Sequence, residues 1–94
     1  MKGNSYTIQN DHLSIAVQAK GAELVSLYHK KHAIAYMWNG NPAFWGKHSP
    51  VLFPIVGTLK NDTYYYNNSA YHLNRHGFAR DSPFALSASA ASEL

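Results

Sequence analysis

From His12 to Ala19 the chain alternates: Leu13, Ile15 and Val17 fall on one side, and His12, Ser14, Ala16 and Gln18 on the other. A period of two marks a half-buried β-strand, because successive side chains of a pleated strand point to opposite faces. Turn residues bound this strand closely, Asn10-Asp11 before it and Lys20-Gly21 after it. Tyr6-Thr7-Ile8, β-branched and aromatic, precedes the first turn. Ala22–Tyr28 follows the second, with a weaker alternation that sets Ala22, Leu24 and Ser26 against Glu23, Val25 and Leu27. Lys30-Lys31 marks another turn, and Ala33–Trp38 reads as a further strand. Parallel strands need a crossover of about a dozen residues or more, so turns this tight permit only an antiparallel meander.

The rest of the chain is punctuated more heavily. Asn39-Gly40-Asn41-Pro42 breaks the pattern, and Pro42–Gly46 has room for one helical turn with proline near its start. The apolar run VLFPIVG follows Pro50 and contains Pro54. Proline cannot donate to a sheet ladder, so this run is read as an irregular buried segment instead of a central strand. Thr63–Tyr66 and Ala70–Leu73 are strands around Asn67-Asn68, a two-residue loop suited to a type I′ hairpin. Tyr64-Tyr65-Tyr66 alternates across its strand and so offers no single aromatic face. Beyond Pro83 the sequence is low in complexity, with alternating Ala and Ser compatible with a strand.

Length and charge narrow the function classes. The 94 residues amount to one domain at most. A domain this small buries only about 60–65% of the surface its unfolded chain exposes. There is no cysteine, hence no disulfide or thiolate metal site to staple it. The net charge is +3, with lysines scattered and only Lys30-Lys31 adjacent. Without a basic stripe to track phosphates, nucleic acid is excluded as a partner. No apolar run reaches the roughly 18 residues of a membrane helix, and the first residues carry no apolar leader core. A soluble cytoplasmic chain is expected. His12, His29, His32, His48 and His72 show no metal-ligand spacing with acidic partners, and no metal is assigned.

One string concentrates chemistry. In HGFARD, residues 76–81, an imidazole, a guanidinium and a carboxylate crowd together: His76, Arg80 and Asp81. A histidine beside a glycine is often a plain loop residue. Arg80 next to Asp81 also fits a surface ion pair worth about 0–1 kcal/mol. At least two of Trp38, Phe44 and Trp45 are read as core, since large aromatics dominate cores, with a stacking platform for a sugar face as the alternative role.

Taken in order, GAELVSL at 21–27, PAFWGKHSPVLFPIVG at 42–57, TYYYNNSAYHL at 63–73 and HGFARD at 76–81 resemble the N-terminal part of the aldose 1-epimerase (galactose mutarotase-like) family, in its LacX-like subgroup. The likeness runs from about Tyr6 to Leu94. It implies an all-β fold: an antiparallel β-sandwich of the galactose mutarotase-like type, of which residues 1–94 form a partial domain, the N-terminal third, cut short at the C-terminus. It implies a hexose of galactose or glucose type as partner, bound in a cleft across a concave face, and no cofactor. The activity implied is interconversion of α and β anomers: a base takes the C1 hydroxyl proton, an acid protonates the ring oxygen, and the opened sugar recloses on its other carbonyl face.

The resemblance carries His76 and Arg80 over as substrate-binding residues, expected to face one concave surface near Phe53 and Thr58. It carries over no catalytic residue. The family's acid histidine and base glutamate lie farther along than this sequence reaches, and Glu93 does not replace the latter. Thr58 departs from the family pattern, which has arginine after PIVG; one hydroxyl cannot reproduce a planar fork of donors. The 94-residue chain is therefore expected to be inactive by itself. The same sandwich used as a non-catalytic carbohydrate-binding module, or a fragment without function of its own, are the alternatives. Exposed sheet edges are expected to favour self-association.

Overall fold

Six strands make up the extended structure of residues 4–90, the part of the chain that the computed structural model describes. The strands β1 (Ser5–Gln9), β2 (Leu13–Gln18), β3 (Glu23–His29) and β4 (Ile34–Ala35) form a sheet in that order. A separate hairpin pairs β5 (Thr63–Tyr66) with β6 (Ser69–His72). Every strand pairing is antiparallel. Single 3-10 turns at Lys60–Asp62 and Ala79–Asp81 are the only helical pieces among the described residues. Glu93 lies outside them.

The turns form for the reasons their residues supply. Asn10 Oδ1 accepts hydrogen bonds from the His12 and Leu13 amides, both at 2.8 Å, and so turns β1 into β2. Asn67 and Asn68 have φ of 50° and 63°, the left-handed pair that a two-residue hairpin of type I′ requires. Asn41 anchors the tight turn after Pro42: its side chain accepts from the Ala43 amide at 2.9 Å, and its carbonyl from the Trp45 amide at 2.9 Å.

The weak alternation in β3 has a local cause. Ala16 pairs with Ser26 but Val17 pairs with Leu24, so Val25 is an extra residue opposite a single position of β2. Such a bulge shifts which side chains share a face partway along the strand. β4 is shorter than the sequence predicts, Ile34–Ala35 instead of Ala33–Trp38. After Tyr36 donates its amide to Leu27 the chain leaves the sheet, and Trp38 Nε1 bonds the Trp45 carbonyl at 2.8 Å. Residues 83–90 form no regular strand. Pro83 bridges Lys20, and Phe84 donates to the Ala19 carbonyl at 2.8 Å.

Two expectations about burial are overturned. The VLFPIVG segment is irregular, as its prolines dictate, but it is not buried: Phe53 is 57% and Val56 76% exposed. Trp38, Phe44 and Trp45 do not form a core either, Phe44 being 80% exposed. The reason is the same in both cases: no described element lies over them. Ala79 is the one apolar side chain buried among the described residues. The radius of gyration is 16.6 Å, against about 12 Å for a compact domain of this length. The described residues thus form two thin sheets joined by a loop, with apolar faces open.

The far-UV circular dichroism of the 94-residue chain should be dominated by strand, with helix far below the roughly one-third of an average globular protein. Sedimentation velocity should show association that grows with concentration, because β1, β4 and both strands of the hairpin present unpaired edges. A helical spectrum, or a monomer at every concentration, would contradict this account.

Candidate functional site

The HGFARD string is held by backbone contacts to the proline-punctuated segment. Asn74–Gly77 is a tight turn closed by the Gly77 amide on the Asn74 carbonyl at 2.8 Å. His76 and Gly77 sit in it at φ of 63° and 75°. Gly77 forms a parallel bridge with Phe53. A Cβ built at Gly77 would lie 2.2 Å from the Phe53 carbonyl oxygen, so only glycine allows the two backbones to meet. The same carbonyl accepts from the Phe78 amide at 3.0 Å and the Ala79 amide at 3.2 Å. The Phe53 and Phe78 rings stand edge to face at 6.4 Å.

His76 is locked to Gly57 on both sides. Its amide donates to the Gly57 carbonyl at 2.8 Å, and its ring Nδ1 accepts from the Gly57 amide at 2.9 Å. A backbone N–H can only donate, so Nδ1 is the unprotonated nitrogen of the neutral ring. The proton of that ring is on Nε2, which becomes a fixed donor. His76 is thereby equipped to donate a hydrogen bond to a ligand oxygen and unsuited to take a proton through Nε2.

Arg80 closes the string on itself. Its guanidinium donates to the Arg75 carbonyl at 3.1 Å, next to His76, and its Nε is buried without a partner. The surface ion pair with Asp81 does not form; Asp81 is exposed. The structure therefore gathers His76, Arg80, Phe53 and Phe78 around one turn, with Thr58 exposed just beyond Gly57. Trp38, Phe44 and Trp45 are a separate cluster, with the Trp38 and Phe44 rings edge to face at 6.3 Å. His29 and His32 stack at 4.8 Å across the turn after β3. No three His, Asp or Glu side chains gather closely enough to hold a metal ion among the described residues.

One residue escaped the sequence reading. Glu23 is only 5% exposed, the one charged side chain buried among the described residues. Its carboxylate accepts from the amides of His48 and Ser49 at 2.6 and 3.1 Å. The sequence sets it far from HGFARD, yet the Gly21 amide, two residues earlier, donates to the Ser82 carbonyl at 2.7 Å. The only available signal was a carboxylate at the head of an apolar strand.

The family follows from comparison. The model of the aldose 1-epimerase family matches residues 4–93, and the chain belongs to that family. The plasmid and chromosomal LacX proteins of Lactococcus lactis subsp. lactis are each 32% identical over 84 residues, covering 84% of this chain and 28% of their own length. A galactose mutarotase-like protein from Lactobacillus casei superimposes with a TM-score of 0.89 at 36% identity, over 94% of this chain and 30% of that one. A galactose mutarotase related enzyme from Lactobacillus acidophilus gives 0.89 at 43% identity, over 94% and 29%. The fold is that of the galactose mutarotase-like proteins, and the chain spans less than a third of the length of these relatives. No described helix is long and apolar enough to cross a membrane.

Gly77→Ala should destabilise the chain by about 2–3 kcal/mol, combining a left-handed φ with a backbone collision. Urea denaturation compared with Gly46→Ala, whose Cβ would meet nothing closer than 3.8 Å, measures the difference.

Proposed function

We propose that this chain supplies the first part of a hexose-binding cleft in an aldose 1-epimerase-like protein, with His76 and Arg80 contacting the sugar. The observation that carries the reading is the bond from the Gly57 amide to His76 Nδ1, which leaves Nε2–H as an oriented donor for a hydroxyl or the ring oxygen. Arg80, half-buried, adds a guanidinium held beside His76 by its bond to the Arg75 carbonyl. Such donors favour a ligand rich in oxygen acceptors, as a pyranose is. The reaction proposed for the whole protein is cofactor-free isomerisation between anomers, in a cytoplasmic setting of carbohydrate metabolism.

The 94-residue chain alone is proposed to be inactive. Mutarotation needs a base at the C1 hydroxyl and an acid at the ring oxygen, each within hydrogen-bond reach. Asp11, Asp62 and Asp81 are exposed, and Glu23 is occupied by two loop amides. His76 Nδ1 is occupied by Gly57, so the ring offers a donor and no free base. The occupied His76 Nδ1 and Glu23 carboxylate favour a second reading, a carbohydrate-binding module without catalysis, and Thr58 in place of arginine removes sugar-binding donors in either reading.

Isothermal titration with galactose and glucose should give a weak heat of binding. His76→Ala should weaken it by about 1–3 kcal/mol, the penalty for leaving polar groups unpaired. No heat with either sugar from a folded sample would sink the sugar-site reading. In polarimetry with fresh α-glucose or α-galactose, the chain should not speed the change in rotation above buffer. Acceleration abolished by His76→Ala would mean that the fragment carries its own acid–base pair.

A further inference from the structure

Glu23 is too deeply buried to meet a ligand, and its contacts point to a different task. Its Oε2 accepts from the His48 and Ser49 amides at 2.6 and 3.1 Å, and His48 Nδ1 is 3.6 Å away. Ser49 Oγ returns a bond to the Leu24 carbonyl at 2.7 Å. Gly40 leaves the space that the His48 ring fills, since a Cβ there would lie 2.5 Å from it. Side chains thus fasten the loop at 48–49 to the head of β3.

This junction belongs to a closed circuit. From Ser49 the chain runs to Phe53, whose carbonyl holds the Phe78 and Ala79 amides, and on to Gly57, which grips His76. From Arg80 the path returns through Ser82, whose carbonyl accepts from Gly21, two residues from Glu23. A Cβ at Gly21 would lie 2.6 Å from the Arg80 carbonyl oxygen, so this contact is also close. The other links each include a bond between backbone groups, whereas every hydrogen bond of the junction at Glu23 has a side chain at one end.

We propose that Glu23 is a positioning residue for the His76–Arg80 turn, acting through the 48–57 segment that it anchors. A carboxylate suits the task because it is acceptor-only and can take both loop amides without presenting a competing donor. The functional consequence rests on the sugar-site reading of His76; the positioning itself does not.

The test is amide hydrogen exchange by NMR on the 94-residue chain, with Glu23→Ala and Glu23→Gln. Glu23→Ala should speed exchange at Gly57 and Phe78 by about tenfold, the scale of a lost charge-assisted bond. The β1–β2 amides, such as Ile8 and Ile15, should change little. Glu23→Gln keeps an acceptor oxygen and should restore part of the protection. Unchanged exchange at Gly57 and Phe78, or a uniform loss across the sheet, would overturn the proposal. Should Glu23→Ala fail to fold, Glu23→Gln decides alone: a change confined to the distant turn supports positioning, and none, or a uniform one, refutes it. Galactose titration separates the two readings. Coupling by exchange without sugar heat removes the sugar site and keeps the positioning role. Sugar binding indifferent to Glu23 does the reverse.

Discussion

The Phe53 carbonyl is the point on which the site turns. It meets the amides of Phe78 and Ala79 while the Gly77 backbone passes against it. Two segments that form no strand with each other are joined there at backbone distance. A side chain at residue 77 would hold them apart, and the ring of His76 would lose its grip on Gly57. The donor on His76 Nε2 therefore follows from a glycine next door and an amide nineteen residues upstream.

Much of the scaffold was legible because its signals are local. The alternation at 12–19, the Asn10 turn and the Asn67-Asn68 loop each declare themselves within a few residues, and the strands lie where those patterns put them. The β3 bulge was legible only as a faltering period. Burial was misjudged at VLFPIVG and at the Trp38–Phe44–Trp45 cluster, because apolar character tells which residues need cover and not whether the same stretch supplies it. The HGFARD string announced its chemistry, but the tautomer of His76 could not be read without Gly57 opposite it. Glu23 was invisible for the same reason: nothing near it in sequence hints at the amides of His48 and Ser49.

The open apolar faces and the high TM-scores belong together. The chain adopts the backbone course of proteins more than three times its length, yet among its described residues it buries only Ala79 of its apolar side chains. Its conformation is thus specified largely by hydrogen bonds and turn chemistry. Burial, the dominant source of folding free energy in most domains, is mostly left unused within this stretch. Substitutions at exposed apolar residues such as Phe44 or Val51 should read as surface changes here and as core changes wherever those faces are covered.

The circuit through Gly21, Glu23, Ser49, Gly57, His76 and Ser82 also sets an order of events. The meander and the hairpin need only neighbours in sequence, and such contacts form early in folding. The circuit closes only when the chain from Gly21 to Ser82 has come round on itself, which carries the entropy of a long loop. Strands can be complete while the turn at His76 is still unformed. The candidate site belongs to the closure of the chain and to no single strand, so a nascent or partly opened molecule would look native in its sheets and lack the His76 turn altogether.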